Sequence, residues 1–179
     1  MVRLELLDKT DFGHIVKWFE TNNEDFLVQW AGPTYQYPLT VQQMEEHYKN
    51  GFNGADSDTY LYKIIETDSN EFIGSIQLCK IDKVNLCAVV GRFIIGVEGM
   101  RGKGFGKSAL NGLVRIGFED FGLKKLHLKV FDRNENAIKC YQKVGFIIVK
   151  HMSDVYKAND GFWGEYDMSI CCESWRESK

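Results

Sequence analysis

The apolar pattern points to an α/β (α+β) chain: a mixed, mostly antiparallel sheet of about seven strands flanked by about four helices. Three observations carry this reading. Ile, Val, Leu, Phe and Tyr crowd into residues 59–66, 71–81 and 86–97, and Asp68-Ser69-Asn70 and Asp82-Lys83-Val84-Asn85 punctuate them as an antiparallel meander. Helical spacing falls on either side of that meander and not within it. With 44% hydrophobic residues and only two prolines among 179 residues, the chain can bury enough apolar surface to offset its conformational entropy. One domain over 1–179 is therefore expected.

Each element has a local reason. Residues 2–7 alternate as a first strand. Asp8, Thr10 and Asp11 offer caps for a helix carrying Phe12, Ile15, Val16 and Phe19, which Asn22 to Asp25 end. Residues 29–40 hold both prolines and three aromatic rings and read as an ordered loop. Thr40 caps a second helix over 41–49, and residues 51–56 form a turn-rich break. After the meander, Ala109, Leu110, Leu113, Val114, Gly117, Phe118 and Phe121 recur at helical spacing, and Gly122 stops that helix. A strand over 124–131, a helix over 135–143 stopped by Gly145, a strand over 146–151 and a last strand over 165–173 complete the order.

Composition narrows the function. The net charge of -3 argues against a nucleic-acid binder. No apolar run reaches the length of a membrane span, and charges sit where a secretory signal would have its apolar core, so a soluble cytoplasmic protein is expected. Five cysteines (79, 87, 140, 171, 172) without Cys-x-x-Cys spacing read as reduced thiols, and the four scattered histidines suggest no metal site.

The most informative segment is Arg101-Gly102-Lys103-Gly104-Phe105-Gly106-Lys107, between a predicted strand and a predicted helix. Glycines let a ligand approach the main chain closely, and N–H groups at a helix start receive phosphate. Residues 99–118 carry four basic side chains (Arg101, Lys103, Lys107, Arg115) and no acidic one. Three familiar motifs fail on counting. The nucleoside-triphosphatase loop requires Gly where Arg101 stands, and the dinucleotide fingerprint requires Gly where Lys107 stands. A nucleophile elbow around Ser108 would need Gly in place of Leu110. Composition alone leaves a phosphate site and a tight turn with solvated lysines both open.

The remaining pattern, Arg-x-x-Gly-x-Gly, resembles the acyl-coenzyme A loop of the GCN5-related N-acetyltransferases (GNAT). A second segment strengthens the resemblance: Asn134, Ala137-Ile138 and Tyr141-Gln142-Lys143-Val144-Gly145-Phe146 look like that family's strand-then-helix element. It is sharpest over residues 86–150 and lies nearest the bacterial branch acting on ribosomal proteins and small amines. It implies an acetyl-CoA-dependent N-acetyltransferase that moves an acetyl group by direct attack of a primary amine, with no metal. The sheet would splay to admit the cofactor. The main chain of Gly102, Lys103, Gly104, Phe105 and Gly106, with Arg101 and Lys107, would hold the pyrophosphate. Residues 95–97 (Ile95 to Val97) would offer backbone partners to the pantetheine amides.

Tyr141 carries two readings. Ala137, Ile138, Tyr141 and Val144 share one helical face, which makes the ring core; the resemblance implies instead a proton donor to the leaving thiolate. Asn134 is either a helix cap or a cofactor contact, or both. Glu71, Glu98, Asp154 and Glu165 are candidate general bases, and none stands out. In the family the acceptor pocket comes from the first two helices and the loop between the last strands, here 12–58 and 155–165. Trp30, Tyr35 and Tyr37 with Glu24, Asp25, Asp56, Asp58, Asp160 and Glu165 would suit a cationic amine, or simply pack and face solvent. The partner is expected to be a small-molecule or peptide amine (a protein N-terminus, polyamine or aminoglycoside), with no nucleic acid and no membrane; dimers are common in the family. Two other readings are a non-catalytic acyl-CoA-binding module and a nucleotide-phosphate-binding regulatory domain.

Overall fold

The computed structural model describes residues 1–177, so the last two residues of the expected 1–179 domain lie outside it. Seven strands form one sheet: Val2–Leu6 (β1), Tyr60–Glu66 (β2), Phe72–Asp82 (β3), Cys87–Ile95 (β4), Lys125–Phe131 (β5), Ile147–Ala158 (β6) and Gly161–Cys171 (β7). Their order is β1-β2-β3-β4-β5-β7-β6. Every neighbouring pair is antiparallel except β4 and β5, which run parallel.

Two apolar clusters cover the two faces. Helices Phe105–Arg115 (α4), Glu135–Gln142 (α5) and Cys172–Glu177 (α6) lie over one face, where Ala109, Leu110, Leu113 and Val114 meet Leu126, Leu128 and Val130. Phe12–Lys17 (α1), Glu24–Ala31 (α2) and Val41–His47 (α3) cover the other, burying Phe12, Ile15, Phe19, Leu27, Trp30 and Met44. Strand alternation sorts the residues between the faces until β4 breaks parity. Ala88 and Val90 point to the α4 side, then so do Phe93 and Ile95, while Ile94 joins the α1–α3 cluster. The ladder explains the switch. Ser75 pairs with Ile94 and Gln77 with Gly91, so β4 carries one residue more than β3, and Arg92 has φ of 41°.

The expected splay is present and has a simple geometry. β4 and β5 pair only at Cys87, Ala88 and Val89, opposite Lys125, Leu126 and His127. Beyond that point β4 follows β3 to Ile95 and β5 follows β7 to Phe131, so the middle of the sheet opens as a V.

Three expectations need correction. Six α-helices are present among the described residues, not about four. The first addition is α2: Asn23, read as ending a helix, caps one instead, its side chain accepting from Phe26 N at 2.9 Å, with Glu24 and Asp25 in the first turn. Much of the expected 29–40 loop is thus the end of α2 and a short turn. The second is α6: the expected strand over 165–173 ends at Cys171, and Cys172 opens a helix whose Trp175 packs 5.4 Å from Phe118. Third, 155–165 is not a loop but a hairpin, because β6 runs on to Ala158 and β7 begins at Gly161. All five cysteines are free.

Candidate active site

The glycine-rich turn stands at the mouth of the V. Gly102 and Gly104 have φ of 75° and 85°, a region where a side chain is strained. Gly104 caps α4 without any side-chain bond. The first helical bond closes at Ser108, whose N–H donates to Gly104 O at 3.0 Å, so the N–H groups of Phe105, Gly106 and Lys107 have no intrahelical acceptor. Lys103 and Lys107 are exposed, and among the described residues neither forms an ion pair. Bare main chain, the positive end of α4 and two loose ammonium groups are the kind of donors a phosphate ester would require. Phe105 contributes only backbone here, since its ring packs into the core.

Arg101 does something other than expected. Its Nε donates to Ile95 O at 2.8 Å and its Nη2 to Gly96 O at 3.3 Å, with the guanidinium 5.5 Å from the Phe26 ring. It clasps the end of β4 and would have to leave those carbonyls to reach a diphosphate. Of the two residues expected to offer backbone partners, Ile95 is the last residue of β4, its carbonyl taken by Arg101, and Val97 N donates to Ile73 O at 3.2 Å.

Gly106 joins the turn to the other half of the site. A Cβ there would stand 3.5 Å from Phe93 of β4 and 3.7 Å from Cys140 Sγ of α5. Beside Cys140, Tyr141 is 8% exposed, its ring 6.2 Å from Phe93 and 6.1 Å from Phe146. Tyr141 is thus core, buried beside Phe93 of the strand that forms one wall of the V. Desolvation raises the Tyr141 pKa well above the ordinary phenol range, with the neighbouring Cys140 adding a little, so it stays protonated. Asn134 is a helix cap, its Oδ1 accepting from Ala137 N at 3.2 Å.

On the opposite side of the V, an open cleft of ≈680 Å³ runs between α2 and the β6–β7 hairpin, lined by Asn22, Asp25, Phe26, Asn159, Asp160 and Trp163 among others. Asp25 ties the two together. It accepts from Tyr156 Oη at 3.2 Å, from Asn159 N at 3.2 Å and from Asn159 Nδ2 at 3.0 Å. All three donors are neutral, so among the described residues no cation pairs with Asp25. Asp160 accepts from Arg133 at 2.6 Å and from Trp163 Nε1 at 2.7 Å.

The remaining acceptor-side residues divide. Trp30 and Tyr35 are core, while Tyr37 is exposed and donates to Asn22 O at 2.8 Å. Glu24, Asp56 and Asp58 face solvent, and Glu165 pairs with Lys129 at 2.5 Å. Of the candidate bases, Glu71, Glu98 and Asp154 are exposed, and nothing singles one out. The sequence reading missed Arg92 and the bulge it makes. A residue with a positive φ inside an otherwise regular run of apolar residues leaves no compositional trace.

Comparison with known proteins agrees with this geometry. Residues 2–147 match the model of the acetyltransferase (GNAT) domain family. A spermidine N(1)-acetyltransferase of Vibrio cholerae is 24% identical over 138 residues, covering 77% of this chain and 75% of its own. An uncharacterized N-acetyltransferase of Bacillus subtilis is 33% identical over 115 residues, covering 63% and 72%. The crystal structure of spermidine N-acetyltransferase from Vibrio cholerae in complex with CoA and spermine superposes with a TM-score of 0.81 at 20% identity, covering 98% of each chain. With a family model over most of the chain, a splayed sheet and a bare glycine-rich turn at its mouth, this chain belongs to the GNAT acetyltransferase family and is an acetyl-CoA-dependent N-acetyltransferase.

Proposed function

We propose that the acceptor is a polyamine or a similarly small polycationic amine, bound between α2 and the β6–β7 hairpin. The observation that carries this is Asp25, a carboxylate at the rim of the cleft whose three partners are all neutral. A second ammonium on the acceptor would pair with it, and the Phe26 and Trp163 rings would flank the aliphatic chain. Relatives named as spermidine or spermine/spermidine acetyltransferases, one of them 40% identical over 55 residues, support the same choice.

On the donor side, the N–H groups of residues 102–106, with Lys103 and Lys107, take the diphosphate. Ile95, Val97 and Asn134 border the pantetheine arm. The reaction is direct. The neutral amine nitrogen attacks the thioester carbonyl, the C–S bond breaks, and Tyr141 gives its proton to the leaving thiolate while the amine proton passes to solvent. We place the whole of 1–179 in this one domain and the protein in the cytoplasm. Among the described residues no helix is long and apolar enough to cross a membrane. Self-association fits the same reading, since a spermidine N-acetyltransferase of Vibrio cholerae has been solved as a dodecamer.

The test is a thiol-release screen with acetyl-CoA over spermidine, spermine, an aminoglycoside and short peptides. Turnover should be fastest with the polyamines, and Asp25→Asn should raise the KM for spermidine about fivefold, the upper end for a solvated ion pair. Turnover of peptides but not of polyamines would overturn the acceptor assignment, and acetyl-CoA binding without turnover of any amine would leave a non-catalytic binding module.

A further inference from the structure

Arg101 touches both halves of the site. Its Nε donates to Ile95 O at 2.8 Å and its Nη2 to Gly96 O at 3.3 Å, and its guanidinium lies 5.5 Å from the centre of the Phe26 ring. Ile95 ends the strand that walls the V, and its carbonyl faces the gap. Gly96 N donates across to Ile73 O of β3 at 2.8 Å, and in an antiparallel ladder the main-chain groups of the preceding residue point the other way. A pantetheine amide entering beside β4 would use that carbonyl, and the guanidinium already sits on it. Phe26 belongs to α2 and lines the acceptor cleft next to Asp25. One side chain at the start of the glycine-rich turn thus covers a main-chain acceptor of the donor side and an aromatic ring of the acceptor side.

Charge decides where this side chain rests. The guanidinium is always ionised. Among the described residues no carboxylate pairs with it, so its partners are two neutral carbonyls and a ring. The donor's diphosphate would bring negative charge to the N–H groups of residues 102–106, the next in the chain. A hydrogen bond to an ionised oxygen is about twice as strong as one to a neutral carbonyl, so the guanidinium fork favours the diphosphate once it arrives. Its departure bares Ile95 O for the pantetheine arm and takes a cation away from Phe26. The second effect reaches the acceptor, because a cation held at that ring competes with an incoming ammonium for it and repels it. We propose that Arg101 is a positioning residue that couples the two substrates: it holds Ile95 O and Phe26 until the donor's diphosphate draws it away, and only then does the cleft bind a cationic acceptor at full strength. The coupling rests on the polyamine reading of the cleft; the displacement of Arg101 does not.

The test uses the full chain and CoA, which carries no acetyl group and so cannot turn over. Crystals soaked in CoA should show the Arg101 guanidinium off Ile95 O and on a phosphate oxygen. In calorimetric titrations on the parent, saturating CoA should tighten spermidine about fivefold, and by linkage spermidine should tighten CoA by the same factor. Arg101→Gln keeps a polar side chain and removes the charge. Without CoA it should bind spermidine about as tightly as the parent does with CoA, and CoA should then change that affinity by less than about twofold. A clasp that merely braced the end of β4 would give the reverse: a lower melting temperature, weaker CoA binding and no gain for spermidine. That result overturns the proposal. So does a guanidinium still on Ile95 O beside bound CoA, a spermidine affinity in the parent that CoA leaves unchanged, or a coupling that persists in Arg101→Gln. If thiol release identifies an amine other than a polyamine, the same titrations are run with that amine, so loss of the polyamine reading and loss of the Arg101 coupling are separate results.

Discussion

Tyr141→Phe removes a single oxygen from the wall of the V. The ring contacts to Phe93 and Phe146 at 6.2 Å and 6.1 Å do not involve that oxygen, and no hydrogen bond ties it to another group among the described residues. Loss of an untied hydroxyl changes folding stability by no more than about 1 kcal/mol, so the melting temperature should move by a few degrees at most. The rate behaves differently. A positioned general acid contributes about 10² to 10⁴ in turnover, equivalent to roughly 3–5 kcal/mol of transition-state stabilisation. The variant should therefore bind acetyl-CoA within about twofold of the parent in a calorimetric titration, while kcat for CoA release falls at least about 100-fold. The pH profile is a second readout. Burial holds the Tyr141 proton above the ordinary range near 10, so the parent should show no loss of rate from tyrosine ionisation as pH approaches that value. A kcat unchanged in Tyr141→Phe would make the residue a packing element. An alkaline limb centred near 10 that the variant abolishes would contradict its burial.

Three further perturbations read other parts of the account. Gly104→Ala places a side chain at φ of 85° on the cap of α4, costing about 1–2 kcal/mol of strain and crowding the phosphate turn; acetyl-CoA affinity should fall about tenfold by calorimetry while the fold survives. Gly96→Ala would bring a Cβ to 1.9 Å from the Trp18 ring, so the indole or the end of β4 must move, and thermal unfolding should show a loss of about 1–3 kcal/mol. Glu66 accepts from Ser69 N, Ser69 Oγ and Asp68 N, which holds its pKa near 2 against an ordinary 4.5. A depressed carboxylate contributes stability above its unfolded value and loses it as pH falls through the folded one. Melting temperature should therefore drop between pH 4.5 and 2, and Glu66→Gln should flatten that limb.

The sequence exposed most of what the chain encodes locally and little of what depends on distant partners. The meander read as 59–66, 71–81 and 86–97 forms strands within two residues of those bounds, because β-branched runs between Asp/Asn turns leave few alternatives. The glycines of the phosphate turn were visible for the same reason: bare backbone at a helix start is a local property. Asn23 shows the limit, since a polar cluster ends a helix or begins one with equal ease and only its bond to Phe26 N decides. The β6–β7 hairpin was missed because a bulge between Met152 and Tyr156, with Asp154 at φ of 56°, destroys the two-residue alternation that marks a strand. Arg101 looked like a phosphate ligand by charge, yet its clasp on Ile95 O depends on how the chain folds back after β4. Asp25 and Asn159 stand 134 positions apart, and nothing in either neighbourhood announces their contact.

The measurement that bears most directly on the site is a calorimetric competition between acetyl-CoA and ATP on the full chain. Acetyl-CoA should bind one per chain, CoA should displace it at comparable concentration, and ATP should fail to do so even in large excess, because it has no pantetheine arm to enter the gap between β4 and β5. Displacement of acetyl-CoA by ATP at equal concentration would show that the turn grips phosphate alone and that the open sheet plays no part in binding.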